Sequence, residues 1–200
     1  MLATPWSRDF GLRVPIVNAP MGGVAGGRLA AAVSAAGGLG MVGMGSTATR
    51  ESLAAELQHV SGRFGIGLVD WVMRGQAGML DDALAAEPAL LSVSFGTDWA
   101  WVRRAHEAGI PTVTQVYDAD GARRAADAGV DILVARGAEG GGHGEVRLAT
   151  LPLLDAVLAA VSVPVLAGGG VASPEASLRC WPPAPPAPGW APGWPHARRR

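Results

Sequence analysis

Seven short apolar runs, each separated from the next by a segment with helical spacing, predict an α/β chain built on a parallel sheet. The middle units repeat at about 20 residues, marked by Ala108-Gly109 before one run and Ala128-Gly129 before the next. Units this short and uniform favour a (β/α)8 TIM barrel over an open doubly wound sheet. Two hundred residues with 49% apolar and 16% charged composition are enough for one such domain with a sizeable core.

The elements follow in order. Ile16 to Ala19 reads as a strand running into the turn Pro20-Met21-Gly22-Gly23. Leu29, Ala32, Val33 and Ala36 repeat at helical spacing, and Gly37-Gly38 end that helix. Leu39 to Val42 is the second strand; Leu53, Leu57 and Val60 stripe the next helix, and Phe64 to Val69 is the third strand. A helix near Asp81 to Ala86 precedes a strand at Leu90 to Phe95. Trp99, Val102 and His106 share a helix face before the strand Thr112 to Val116. Ala119, Ala122 and Ala126 line a helix, and Ile132 to Ala135 is the sixth strand. Leu154, Val157, Leu158 and Val161 give the sixth helix, and Val163 to Ala167 the seventh strand.

Composition bounds the function. A formal net charge of −1 gives no argument for nucleic acid or an acidic partner. All 16 basic residues are Arg, and one cysteine, Cys180, cannot form an intramolecular disulfide and fits a reducing compartment. The N-terminus lacks an apolar signal segment, and the apolar stretch Leu151 to Ala172 is broken by Pro152, Pro164 and Gly168-Gly169-Gly170, so it reads as helix plus strand. The expectation is a soluble, cytoplasmic protein without a membrane partner.

Composition then changes at about residue 177. Residues 177–200 hold seven of the 15 prolines, three of the seven tryptophans and no acid. Such sequence continues neither a helix nor a buried parallel strand. The expected organisation is a barrel domain over 1–176 and an irregular tail over 177–200, the tail being either a shifted reading frame or a genuine Pro-rich segment. An eighth strand is not countable, so the barrel is expected to be incomplete, with open edges through which copies can associate.

The stretch that concentrates chemistry is Gly137-Ala138-Glu139-Gly140-Gly141-Gly142-His143-Gly144. Five glycines in eight residues follow a buried strand, so backbone can approach a ligand closely. His143 supplies an imidazole, the side chain type that changes charge near neutral pH. Pro20-Met21 and Gly168–Gly170 also lie at carboxyl ends of strands, where barrels place their ligands. A metal site formed by Glu139, His143 and Glu145 has no further ligand cluster behind it, so no metal is expected.

These pieces resemble the flavin-dependent nitronate monooxygenases, formerly called nitropropane dioxygenases. The matching elements are residues 14–23, Ala35 to Gly40, Phe64 to Leu68, the Gly137–Gly144 loop and Val163 to Gly170. The resemblance implies an FMN-binding TIM barrel that oxidises alkyl nitronates or nitroalkanes with O2. It implies His143 as the catalytic base and Ala19, Pro20, Met21, Gln115, Gly140, Gly141, Gly168, Gly169 and Gly170 as cofactor contacts. Gly67 departs from the family pattern, which often has Asn there; Arg136 replaces a Gln and Glu145 a Gly. A flavin-dependent enoyl reductase on the same barrel, or an inactive truncated barrel, are the alternatives.

Overall fold

The computed structural model describes residues 3–173. Six strands, β1 (Gly40–Gly43), β2 (Phe64–Val69), β3 (Leu90–Ser94), β4 (Thr112–Val116), β5 (Ile132–Arg136) and β6 (Val165–Gly168), form one sheet in sequential order. Every neighbouring pair is parallel. Helices α1 (Pro5–Asp9), α2 (Gly27–Ala35), α3 (Arg50–Leu57), α4 (Asp70–Gly75), α5 (Met79–Ala85), α6 (Ala100–Glu107), α7 (Ala119–Asp127) and α8 (Thr150–Leu158) connect and cover it. Sequential parallel order with a helix in each crossover is the connectivity of a TIM barrel, here a curled partial one. Residues 1–170 make one compact unit; of the second, Val171–Arg200, only residues 171–173 are described. The tail expected over 177–200, and with it whatever continues the sheet beyond β6, therefore lies outside the described residues.

The repeat that marked the middle units is a helix ending. Val130 N–H donates to Ala125 O at 3.0 Å and Gly129 N–H to Ala126 O at 2.9 Å, with Gly129 at φ +88°. Ile110, Gly109 and the last turn of α6 repeat the same pair of bonds, both at 2.9 Å.

The first expected strand takes another form. Val17 and Leu39 make a single parallel bridge. Beyond it the Asn18 side chain replaces the backbone ladder: Met41 N–H donates to Asn18 Oδ1 at 2.8 Å, and Asn18 Nδ2 donates to Met41 O at 3.0 Å. A carboxamide carries the same donor and acceptor as a peptide unit, so it pairs with β1 while the chain turns away. Two helices also arise without periodicity to announce them. In α1, Thr4 and Ser7 cap reciprocally around Pro5, while α4 starts directly at the end of β2 with no loop between.

Alternation along the strands divides the core in two. Met41, Leu90, Val113 and Ile132 point to one face and pack with Trp6 and Leu39, joined by the half-buried Val134 and Leu166. Val42, Leu91 and Leu133 point the other way, into a larger cluster with the helices that includes Leu53, Val102 and Leu153. The Trp6 ring of α1 and that of Phe10 just after it, 4.9 Å apart, pack against the inner face near the strand starts. Among the described residues no helix is long and apolar enough to cross a membrane; the 151–172 stretch resolves mainly into α8 and β6.

Candidate active site

The glycine loop leaves β5 at Arg136 and is tied down at several points. Gly137 N–H donates to Gly168 O at 2.8 Å, and Ala138 N–H to Leu148 O at 2.7 Å. Glu139 reaches the start of α8, where its carboxylate accepts from Thr150 N–H at 2.9 Å and from Thr150 Oγ1 at 2.8 Å. No other side chain caps α8, so the loop supplies the cap. Backbone donors of the loop itself, then Thr150 side chain and backbone, hold the Glu139 carboxyl below its ordinary range. Thr150 Oγ1 also lies 3.0 Å from Gly169 O, which joins the β5 loop to the segment after β6.

Arg136 is the anchor of this loop. It is buried, with 6% of its surface exposed, and its guanidinium donates to Gly141 O at 2.9 Å, to Glu145 O at 3.2 Å and to Gly140 O. It also lies over the Tyr117 ring, 5.8 Å from the centroid. Among the described residues no carboxylate pairs with it: Glu139 is held by Thr150, and Glu145 by Arg147. Gly140 is bare because a Cβ there would stand 2.7 Å from Arg136 Nε. Arg136, noted in the sequence only as a departure, thus shapes the loop.

His143 sits exposed on this loop, and its ring makes contacts rather than hydrogen bonds. Its centroid is 5.6 Å from Trp71 and 6.0 Å from Phe95, both edge-on, and the latter two rings are 5.6 Å apart. Trp71 lies just past the end of β2 and Phe95 just past β3. Phe95 has φ +72°, a region few residues other than glycine occupy. Beside it Asp70 is 1% exposed and lies where a side chain on Gly96 would collide. Asp70 Oδ2 lies 2.6 Å from Arg74 Nη2, yet neither carboxylate oxygen has a partner in hydrogen-bonding geometry. The contact is an ion pair alone, and with Arg74 largely exposed it is a weak one.

The other expected cofactor residues fall into two groups at the carboxyl ends of the strands. Ala19, Pro20 and Met21 form a tight turn (Met21 N–H to Ala19 O, 2.9 Å) laid across the ends of β1 and β2. Pro20 occupies the space a side chain on Gly67 would need. Gly168 closes β6, and Gly169 and Gly170 follow at φ +114° and +68°. A Cβ on Gly169 would stand 2.9 Å from both Gly140 N and Thr150 Oγ1, so these two glycine segments touch. Gln115, half-buried near the end of β4, accepts from the Tyr117 hydroxyl at 3.3 Å. Tyr117 was not singled out from sequence. Burial pushes its hydroxyl pKa up against the pull of Arg136, so it stays a neutral donor beside Gly144. Its place two residues after Gln115 at a strand end was the available signal.

Among the described residues no group of three His, Cys, Asp or Glu side chains is placed to hold a metal. A cleft of about 470 Å³ lined by residues such as Arg13, Ser34, Gly38 and Arg63 lies at the opposite end, where the strands start. In barrels that end serves stability rather than chemistry.

A parallel α/β barrel sheet whose polar and aromatic groups converge on the carboxyl ends of the strands defines a TIM-barrel enzyme. Residues 5–64 and 72–176 match the nitronate monooxygenase family, and the chain belongs to that family of flavin-dependent oxidoreductases. It is 34% identical over 186 residues to the (3aS,4S,5R,7aS)-5-hydroxy-7a-methyl-1-oxo-octahydro-1H-indene-4-carboxyl-CoA dehydrogenase of Mycobacterium tuberculosis, covering 84% of this chain and 49% of that protein. It is 28% identical over 215 residues to the nitronate monooxygenase of Pseudomonas aeruginosa, covering 83% of this chain and 61% of that one. Among solved structures, FabK from Thermotoga maritima superposes with a TM-score of 0.78 at 28% identity, over 88% of this chain and 57% of that one. The chain thus spans about half to three fifths of the length of these relatives.

Proposed function

We propose that this chain carries the catalytic face of an FMN-dependent oxidoreductase that oxidises alkyl nitronates or nitroalkanes with O2, giving a carbonyl compound and nitrite. The observation that carries this reading is His143: an exposed imidazole on a glycine loop, held edge-on by two aromatic rings, whose nitrogens bond to no described residue. With neither nitrogen bonded to a described residue, the imidazole is available to take a proton from a nitroalkane carbon or to bind the nitronate oxygens.

The residues present fit the cofactor. The N–H groups of Gly169 and Gly170 donate to no described residue, which leaves them for a phosphate. No described atom lies near where side chains on Gly141 and Gly142 would project, so the loop borders open space there. Ala19, Pro20 and Met21 would face the flavin ring, Gln115 would hydrogen-bond its edge, and Gly140, Gly141 and Gly168 would let it approach. When bound, FMN supplies the electron transfer between nitronate and O2. The protein's part is to orient the nitronate at His143, keep Tyr117 neutral, and hold the loop through Arg136 and Glu139.

The similarity to FabK and to a dehydrogenase of a CoA thioester favours a second reading, a flavin-dependent reductase of the enoyl type. One experiment separates the two. The protein is saturated with FMN and assayed for nitrite release from nitroethane and its nitronate, and in parallel for oxidation of reduced nicotinamide with an enoyl thioester. The expected result is nitrite release, with His143→Ala losing about 10² to 10⁴-fold on the neutral nitroalkane while FMN affinity holds. Nicotinamide oxidation without nitrite would replace this reading by the second.

A further inference from the structure

Two features of the strand ends enter the chemistry above only as supports of His143, the exposed Trp71 and the strained Phe95, and a third, the buried Asp70, does not enter it at all. They are one constellation. Trp71 is 42% exposed directly beside the His143 imidazole. Phe95, next to it, holds φ +72°. Such a conformation in a bulky residue persists only where its surroundings impose it. Here Gly96 leaves room for the Asp70 carboxylate, which α4 presents at the end of β2, and the turn carrying Phe95 is fixed between them. The outcome of that arrangement is the ring triangle, with centroid separations of 5.6, 5.6 and 6.0 Å.

Pockets that take small organic ligands pair apolar and aromatic walls with a few converging polar groups. An apolar wall of this size beside a lone imidazole has that form. We infer that Trp71 and Phe95 are specificity-determining residues that receive the apolar substituent of the substrate, so the site selects a planar anionic head bearing a ring or bulky hydrocarbon over a short alkyl compound. The inference rests on the reading of His143 as the group that meets the substrate head. A methyl or ethyl substituent would leave the Trp71 face wet, whereas a phenyl-sized group covers it.

Carboxylates copy the planar anionic head of a nitronate without reacting, so binding can be read apart from turnover. The probes are acetate and phenylacetate, titrated into the FMN-saturated protein carrying ¹³Cε1-labelled histidine. The His143 signal is assigned by its loss in His143→Gln. Phenylacetate is expected to shift that signal and to bind at least about tenfold more tightly than acetate, from the apolar area it covers. Trp71→Ala should weaken phenylacetate relative to acetate by about the same factor. Trp71→Phe, which restores a ring, should recover most of the preference. Because Trp71 is already partly exposed, its truncation spares the core, and an unchanged melting curve verifies that. Equal affinity for the two probes, or a preference that survives Trp71→Ala, overturns the inference. If the preference holds and nitrite release fails, the wall stands and the nitronate reading falls; the reverse pattern overturns the wall alone.

Discussion

Replacing Arg136 by Met should open the glycine loop without unfolding the sheet. Three carbonyl oxygens, those of Gly140, Gly141 and Glu145, lose a guanidinium donor. A hydrogen bond to a charged group contributes about 1.5–3 kcal/mol, but two of these residues are exposed and their carbonyls recover water. The net loss is then about 0.5–1.5 kcal/mol per bond, or about 1.5–4.5 kcal/mol for the three. Against it stands the ordering cost of a glycine-rich segment, about 1–2 kcal/mol for each residue fixed. At 1.4 kcal/mol per decade, the loop-opening equilibrium shifts by about 10- to 1,600-fold. Global stability behaves differently, because an apolar side chain of similar volume in place of a buried cation is often neutral. The assay is amide hydrogen exchange followed by mass spectrometry on peptides spanning 137–149 and on the six strands. Protection should fall in the loop by that factor and stay level in the strands. Arg136→Lys should lie between, since one ammonium cannot serve three carbonyls at these angles. Unchanged exchange in the loop, or equal loss across all strands, would refute the assignment of Arg136 to the loop.

Gly169→Asp should weaken FMN binding, but the close approach of Gly140 and Thr150 means that Gly169→Ala already disturbs the packing. The comparison therefore reads the difference: Asp should weaken FMN beyond Ala, and equal losses in a fluorescence titration would place the phosphate elsewhere. The pH dependence of the loop follows from Glu139, whose carboxyl is held below its ordinary value of 4.5. A depressed folded-state pKa contributes stability above the unfolded value and loses it as pH falls through the folded one. Loop exchange rates, corrected for intrinsic chemistry, should thus be flat from pH 8 to about 5 and rise as pH falls below the ordinary value of 4.5 and through the depressed folded-state pKa, a rise that Glu139→Gln should abolish.

The strands were legible because each is short, largely apolar and set between helical spacings, as a sheet covered by helices and filled within requires, even where β3 and β4 carry Ser92, Ser94, Thr112 and Thr114. The first was harder: Ile16 to Ala19 has the right composition, but the partner of Met41 is the Asn18 side chain, and no periodicity distinguishes that from a ladder. α1 is five residues long, too short to show a repeat, and only the Thr4-Pro5 start with Ser7 three positions beyond Thr4 could have signalled it. At the site, the glycine loop and His143 stood out because their chemistry is local. Trp71 and Phe95 did not, since their contact with His143 spans three βα units and depends on a backbone angle at Phe95 that composition does not encode. Arg136 was visible as an oddity, and its purpose emerged only when the loop folded back over it.

The Thr150 hydroxyl has one proton and two claimants, the Glu139 carboxylate at 2.8 Å and the Gly169 carbonyl at 3.0 Å. Both cannot be served at once. While Glu139 is ionised it is the stronger acceptor, so the Gly169 carbonyl goes short whenever the neighbouring loop is latched. Gly169 is then held by its packing against Gly140 and Thr150 and by the bond that the preceding Gly168 carbonyl accepts from Gly137 N–H. The two glycine segments behave as rivals for a single donor: tightening one slackens the other, and anything that draws Glu139 away hands the proton across.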